Sequence, residues 1–483
     1  MAINDILEIG RQALAANRTA LQTTSNNIAN TNTPGYSRQR PVFSSHEQSL
    51  VSGNRLGGGV EVKQVVRSHD VFVQHQLVDE SKSFGAARMR AQGLQRLEGI
   101  VSNDGFRVGD LVNKFFSDVR ELSANPETPA MRTAVAVSAE NTAAGFRKIN
   151  DSLQAMKADI DSQLTFGVEE VNSMTKELAG LNARIFQYEA GGESPNELYD
   201  RRDQIQRDLS TRLGFEISSD DQGHVNISAG GLGIIVQGSE AHELVVQRTP
   251  EAGSKSAGNV DIFVKEPAGA RNVTKAFKDG ELGGLLHVRD QVVNPALAQL
   301  DRAAYELSRS VNETHREGQG LDGMSGRGLF KDLSEVKGAS HDIDLSDAVK
   351  SSHDSIAVGM DAGAAGDNRV ALKIGELQTQ KLIPLASAGP LAEGEAEVPS
   401  QTLNDSLNAM VGRIAVEAQA EDQGFRHQEA IMGQLENYRQ SITGVSLEEE
   451  AVNMMQFQAV FNASAKAMKV GDELFDTILG LKA

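Results

Sequence analysis

The sequence predicts an elongated, mainly α-helical multidomain chain with a β-rich insert, and three patterns carry that expectation. Leu7, Leu14, Leu21 and Ile28 recur every seventh residue at the amino end, and Leu447, Met454, Phe461, Met468 and Phe475 do so at the carboxyl end. That spacing holds one apolar row against a neighbouring helix, as in a coiled coil. Between the ends, Phe146, Ile149, Leu153, Met156, Ile160, Leu164, Val168, Val171, Met174, Leu178, Leu181 and Ile185 keep a three-and-four spacing. The run covers roughly forty residues, more than an ordinary globular helix, and reads as a helical rod. Near Phe215 the texture changes to short apolar segments punctuated by glycine, the pattern of an antiparallel β region reaching to about Asp279.

The two ends look alike in one further respect: neither completes a seam. Three residues on from the first three amino-terminal leucines stand Gly10, Asn17 and Thr24, so a helix formed there is marginal in water alone. At the carboxyl end Ser446 and Glu449 read as a capping box that starts a helix at Leu447. Ala451, Phe457, Ala465, Ile478 and Leu479 support its apolar row. Run nearly to Ala483, it is roughly 50 Å long, far more than a compact domain needs to cap itself. A buried seam residue contributes about 1.5 to 3 kcal/mol while ordering a residue costs about 1 to 2, so a pair with half-apolar seams roughly breaks even. Neighbouring copies would complete it. The alternative, two ordinary amphipathic helices lying on one core, is equally consistent with the periodicity.

Taken in order, Pro34-Gly35 stops the first helix. Pro41-Val42-Phe43 and Val60 to Val66 alternate like strands of a small hairpin, and Asp70 to Val101 turns helical. From Val108 to Leu213 the pattern is helix, broken at Asn125 to Pro129 and at Gly191 to Pro195. Expected strands follow at Phe215–Ile217, Val225–Ile227, Gly233–Val236, Leu244–Val246 and Val260–Val264. Helix resumes from Leu282 to about Arg316, a glycine-rich loop runs from Glu317 to Phe330, and Ile343 to Val358 alternate like strands. Asp367 to Ile383 look helical, Ser387 to Pro399 reads as a linker, and Leu403 to about Ser441 as a last long helix before the terminal one. The expected domains are a paired-helix assembly domain (1–30 with 447–483), a mainly helical rod with small β elements (31–214 with 283–446), and a β-rich inserted domain at the far tip (215–282).

Composition narrows the function classes. Lys plus Arg number 47 against 66 Asp plus Glu, and the net charge of -19 would repel nucleic acid and anionic membrane alike. There is no cysteine, hence no disulfide, thiol chemistry or thiolate metal site. No stretch nears the roughly 20 apolar residues that span a bilayer, and the amino end has no basic segment followed by an apolar core, so no Sec-type signal is expected. His-Glu-x-x-His, Gly-x-Ser-x-Gly and a phosphate loop ending in Gly-Lys-Ser or Gly-Lys-Thr are all missing from the sequence. The best metal candidate, His341, Asp342 and Asp344 with Asp347, His353 and Asp354, is more simply a solvated β edge. Gly230-Gly231-Leu232-Gly233 reads as a turn, and His69 and His75, six apart on a helix, as ordinary surface residues. No enzyme, cofactor or metal is expected.

The run Ser25-Asn26-Asn27-Ile28-Ala29-Asn30-Thr31-Asn32-Thr33-Pro34-Gly35-Tyr36-Ser37-Arg38-Gln39-Arg40 resembles the amino-terminal signature of bacterial flagellar axial proteins: the rod, hook and hook-associated families. The Pro-Gly-Tyr-Ser form is that of the hook-associated junction family. Gly444 to Ala451 onward to Leu479 is similar to that family's carboxyl end. Pro195 to Asp203, Val311 to His315 with Gly318 to Phe330, and Gly366-Asp367-Asn368 resemble its interior, while Gly253 to Val273 matches weakly. The resemblance implies a structural subunit at the junction of flagellar hook and filament, exported unfolded through the flagellar type III channel. Its partners would be copies of itself, hook protein, the next junction protein and an export chaperone. The Asn26, Asn27, Asn30, Pro34, Gly35 and Tyr36 segment would pack between copies. Another axial protein, or a secreted coiled-coil effector or adhesin sharing the export route, is the alternative.

Overall fold

The structure is a computed structural model that describes residues 2–45, 49–51, 54–56, 58–102, 107–220, 223–229, 231, 233–249, 258–266, 269–361, 364, 366–384 and 398–480. Helix α1 (Ala2–Ala29) leads through a turn into β1 (Gln39–Ser45), a short inner hairpin of β2 (Ser49–Val51) and β3 (Asn54–Leu56), and β4 (Val60–Arg67), which pairs antiparallel with β1. Helix α2 (Val71–Val101) starts where the Asp70 carboxylate accepts hydrogen bonds from the Phe72 and Val73 amides, satisfying two donors of its open first turn. Helix α3 (Val108–Ala124) follows, and then α4 (Pro129–Ala190), which begins on a proline because the first helical residue needs no amide donor.

Helix α4 is the backbone of the rod. Its 62 residues span about 93 Å. The expected apolar row from Phe146 to Ile185 is buried nearly throughout. The helix also extends seventeen residues upstream of Phe146, from Pro129 to Gly145, where buried Ala136, Ala139 and Ala143 carry little hydropathy signal. Helix α5 (Asn196–Arg212) reverses along it: Arg201 pairs with Glu177 at 2.7 Å and Arg212 with Glu170 at 3.0 Å.

The insert forms two small antiparallel sheets. One holds β5 (Glu216–Ser219), β6 (Val225–Ala229), β7 (Gly233–Gln237) and β8 (Glu240–Ala241) in that order; the other holds β9 (Leu244–Thr249), β10 (Asn259–Glu266) and β11 (Gly269–Asn272) with β10 central. All five expected strands are present. Strands β8 and β11 were not foreseen, since Glu-Ala and Gly-Ala-Arg-Asn show no apolar alternation. The chain then forms α6 (Gly280–His287), a π turn (Val288–Val293) and α7 (Asn294–Arg316). Short α8 (Ala339–Asp342), α9 (Asp347–Ser351) and α10 (Arg369–Glu376) precede the β12 (Ile383–Pro384) and β13 (Pro399–Gln401) pair, helix α11 (Leu403–Thr443) and helix α12 (Leu447–Gly480).

Three expectations need correction. Ile343 to Val358 is not strand: Asp347–Ser351 winds into α9 and His353–Ser355 into a 3-10 turn, the extended ends bond to flanking loops, as in Ser346 N to Leu329 O at 2.9 Å, and Ile343, Leu345, Val349 and Ile356 to Val358 are buried. The helix expected from Asp367 to Ile383 is confined to α10, and residues 387–397 of the expected linker lie outside the described residues. The β-rich insert is also not at the far tip. Arg132, Arg147 and Asn150, in the first half of α4, bond to Ile356, Ile343 and Ser340, whereas Asn172 and Asn182, in its second half, hold the sheets. Arg184 and Tyr188 on that same half share a groove with Thr19, Thr23 and Asn26 of α1. Because α5 stops at mid-rod beside Glu170, the strands that follow it fold onto the half of the rod nearer the chain ends.

The interior motif at the end of α7 is a packing device for the glycine-rich loop. Asn312 accepts from Phe330 N at 2.9 Å and donates to Phe330 O at 3.0 Å. One turn on, His315 is 1 % exposed; its Nε2 accepts from Ala357 N at 2.8 Å, so Nδ1 carries the proton and donates to Arg327 O at 2.7 Å. Burial dominates and lowers the imidazole pKa to about 4, against the opposing pull of the Arg327 carbonyl. With an unfolded value near 6.5, the folded state binds fewer protons between the two, so the stability tied to neutral His315 is full above about pH 6.5 and declines towards pH 4. Denaturant titrations of the native chain and His315→Gln should therefore converge on acidification, the difference shrinking by up to about 3 kcal/mol between pH 7 and pH 4.

Candidate assembly interface

Helices α1 and α12 pack antiparallel, Gly10 meeting Met468 at one end and Asn27 meeting Glu450 at the other. Among the described side chains of α1, Gly10, Ala16, Asn17, Ala20, Thr23, Thr24 and Asn27 are buried. This corrects the expected seam. The row that looked too weak, Gly10, Asn17 and Thr24, faces the partner helix, and Leu7, Leu14, Leu21 and Ile28 flank it half-buried. Small side chains let the two backbones approach: a Cβ on Gly10 would lie 2.8 Å from Met468 Cγ. Half-buried Met454, Phe457, Phe461 and Met468 supply the bulk from α12, and the Phe457 ring also meets Phe43 of β1 at 6.3 Å between centroids.

Leu447 and Phe475, the ends of the carboxyl-terminal row, are exposed, as are Ala451 and Ala465. A strict seven-residue row drifts about 20° per heptad on a straight helix, so a row this long turns away from its partner at the ends. The side chains of Ile478 and Leu479 lie outside the described residues. The opposite face of α12 is apolar too: Val452, Met455, Val460, Val470 and Leu474 are 47 to 61 % exposed.

Where α1 ends and α12 begins, the signature residues form a polar knot. The Asn27 amide donates to Gln39 O at 2.8 Å and to Glu450 Oε2 at 3.0 Å, and its carbonyl accepts from Gln39 N at 2.9 Å and from the Tyr36 hydroxyl at 2.8 Å. Arg38 donates to Glu450 at 2.8 Å and Glu449 at 2.7 Å, while its main-chain amide reaches Thr443 O at 2.8 Å. Asn30 closes the last turn of α1 by donating to Asn26 Oδ1 at 2.8 Å, and after exposed Pro34 the chain turns at Gly35, whose φ of +81° suits glycine. Burial is the main cause that pushes the Tyr36 hydroxyl up to about 12, with Asp200, Glu197 and Glu450 adding to it.

The knot continues into the rod. Ser37 N donates to Asp200 Oδ2 at 3.0 Å, and Arg67 bridges Asp200 at 2.9 Å and Asp203 at 2.6 Å. Asn196 donates to Val65 O at 2.8 Å. The Asn27 and Tyr36 polar groups, expected between copies, are thus engaged inside one chain. Sequence reasoning did not single out Arg38, Arg67, Asp200, Asp203 or Glu450, although four of the five lie in quoted motifs; their pairing spans most of the chain and leaves no local trace. The capping box is half formed: Glu449 N donates to Ser446 Oγ at 3.4 Å, but the Glu449 carboxylate serves Arg38. The metal-candidate residues diverge, His341 towards Asp151, Asp344 towards Lys350 and His353 towards Thr133. Among the described residues no three potential ligands cluster. His69 lies 3.6 Å from Asp203, its pKa lowered chiefly by burial.

Residues 7–36 match the family model described as flagella basal body rod protein, and 439–481 that of the flagellar basal body rod FlgEFG protein C-terminal region. Residues 94–330 match the flagellar hook-associated protein FlgK helical domain. The chain is 29 % identical to flagellar hook-associated protein 1 of Bacillus subtilis over 98 % of its own length and 97 % of that protein's. It is 25 % identical to the protein of that name from Salmonella typhimurium and 24 % to that of Escherichia coli, over 99 % of this chain and all of each relative. The solved flagellar hook junction protein FlgK from Burkholderia pseudomallei shares the fold at 15 % identity, with a TM-score of 0.66 over 76 % of this chain and all of that one.

Joined ends, a long helical rod and a small inserted β region are together the build of a flagellar axial subunit. Within that class the chain is a homologue, over nearly its whole length, of flagellar hook-associated protein 1, a structural protein of the bacterial flagellum.

The knot can be tested directly. Asn27→Leu leaves Gln39 N–H, Gln39 C=O and the Tyr36 hydroxyl without their partner and Glu450 with Arg38 alone, a loss of about 3 kcal/mol or more. Limited proteolysis should then cut between Asn30 and Ser45 while the α4–α5 hairpin stays protected.

Proposed function

We propose that this chain is a structural subunit of the junction between flagellar hook and filament, secreted through the flagellar type III apparatus and working outside the cell. One observation carries the mechanism: α12 is apolar on two faces, and α1 covers one of them. Full burial of Val452, Met455, Val470 and Leu474 is worth about 1.5 to 3 kcal/mol each, a strong drive for helices of neighbouring copies to close over them. Leu7, Leu14, Leu21 and Ile28, half-buried beside the internal seam, extend that surface.

The partners follow from this role: further copies around the ring, hook protein on one side, the next junction protein on the other, and an export chaperone before secretion. The knot gives the assembled helices a fixed attachment to the rod, so packing at the core positions everything outside it. The role requires no catalysis.

Two substitutions separate the seam from the outer face. Val470→Asp with Leu474→Asp should leave the purified chain's circular dichroism and melting unchanged and abolish incorporation into flagella. Phe461→Asp, on the internal side, should loosen the α1–α12 pair, leave the rod folded and likewise block incorporation. Normal motility of the Val470, Leu474 variant would remove the basis of the proposal.

A further inference from the structure

Helix α4 carries three polar side chains that hold the β-rich region: two end on its main-chain atoms, and the third reaches it through an arginine. Asn182 donates to the carbonyls of Val225 and Gly238, both at 2.8 Å, and accepts from Val225 N at 3.3 Å. Asn172 donates to Leu244 O at 2.7 Å and accepts from Leu244 N at 2.9 Å. Asp161 acts through Arg289, whose guanidinium donates to Asp161 at 3.0 Å, to Val260 O at 2.6 Å and to the two Asp290 oxygens at 2.7 and 3.1 Å. The three α4 positions lie about three helical turns apart and so share one side of the helix.

Two further features single out this attachment. Arg289 is 1 % exposed and sits in the π turn Val288–Val293, a wider turn that interrupts the α-helical pattern between α6 and α7. Such wide turns are rare inside helices and are frequent at functional sites. The chain also enters and leaves the β-rich region at one place. A Cβ on Gly214 would lie 2.6 Å from Asp279 Cβ, and one on Gly280 2.6 Å from the Arg212 carbonyl oxygen.

We propose that residues 216–272 dock on α4 as a unit and open as a unit, with Arg289 as the clasp that fixes their pose on the rod. Adjacent entry and exit let the region swing away without pulling on α5 or α6. Main-chain grips at Asn172 and Asn182 release with the strands they hold. The clasp is the asymmetric element: intact, it satisfies a buried carboxylate, and halved, it leaves that charge alone in an apolar setting. This inference does not depend on the junction role.

Hydrogen exchange on the full chain tests it. In Arg289→Met the amides of β9 and β10 should exchange about tenfold faster or more, with Arg132 to Asn150 of α4 unchanged. Asp161→Asn combined with Arg289→Met removes both charges, and the loss of protection should persist there. Native exchange rates in the double variant would mean that the single effect was a stranded charge, which overturns the clasp. Equal acceleration along α4 and the strands would mean one cooperative body, which overturns the unit, and so would native rates in Arg289→Met.

Discussion

The buried carboxylate of Glu450 is the constraint on which the arrangement of the chain ends depends. A charge 1 % exposed has to be compensated where it sits, and Glu450 finds Arg38 and Asn27, more than four hundred residues away in the chain. Its place in the first turn of α12 adds the favourable field of that helix's amino end. Because Arg38 stands between α1 and β1, satisfying Glu450 brings the end of α1, the start of α12 and the β1–β4 ribbon to one point. Asp200 then ties that point to α5, accepting from Ser37 and Arg67. The terminal helices are thereby fixed to the rod through charged, short-range contacts.

Along the rod, α4 gives its two halves to different neighbours while keeping one chemical habit. Arg132 and Arg147 end on the carbonyls of Ile356 and Ile343, and Asn172 and Asn182 end on the main chain of the sheets. A long helix recruits irregular segments this way because their backbone groups, lacking a ladder of their own, need partners when buried. Arg132 illustrates the limit: among the described residues no carboxylate is bonded to it, and burial lowers its pKa from the ordinary guanidinium value against the opposing pull of Asp354 and Asp322.

How far the sequence reveals all this depends on the range of the interaction. Helices α2, α4, α11 and α12, the β1–β4 pair and five strands of the insert are legible because periods of 3.6 and 2 are local properties. The segment from Ile343 to Val358 misleads for the same reason: its alternation is genuine, but its middle winds into α9 and among the described residues it pairs only through an isolated bridge of Leu345 with Phe330. Gly10, Asn17 and Thr24 read as defects because hydropathy scores a side chain by itself, whereas the value of a small residue is the approach it allows to another helix, as Gly10 does to Met468. The knot was visible as three unconnected motifs, Asn26 to Arg38, Pro195 to Asp203 and Gly444 to Ala451. What joins them is the complementarity of one carboxylate with one guanidinium and one amide, and periodicity contains no record of such pairing.

The same small-residue seam explains why a pair this long is still built for company. Gly10, Ala16, Ala20 and Thr24 remove little apolar area from water, so the contact between α1 and α12 is close without being strong. The firm attachment of α12 is at one end, in the knot, and the helix runs from Glu450 to Gly480 with Val452, Met455, Val460, Val470 and Leu474 still facing solvent. Larger residues on α1 would bury more of α12 within one chain, but they would also push the two backbones apart and widen the pair. In the proposed assembly a narrow pair with apolar outer faces lets neighbouring axial subunits pack closely, since each neighbour covers a face that the chain by itself leaves open.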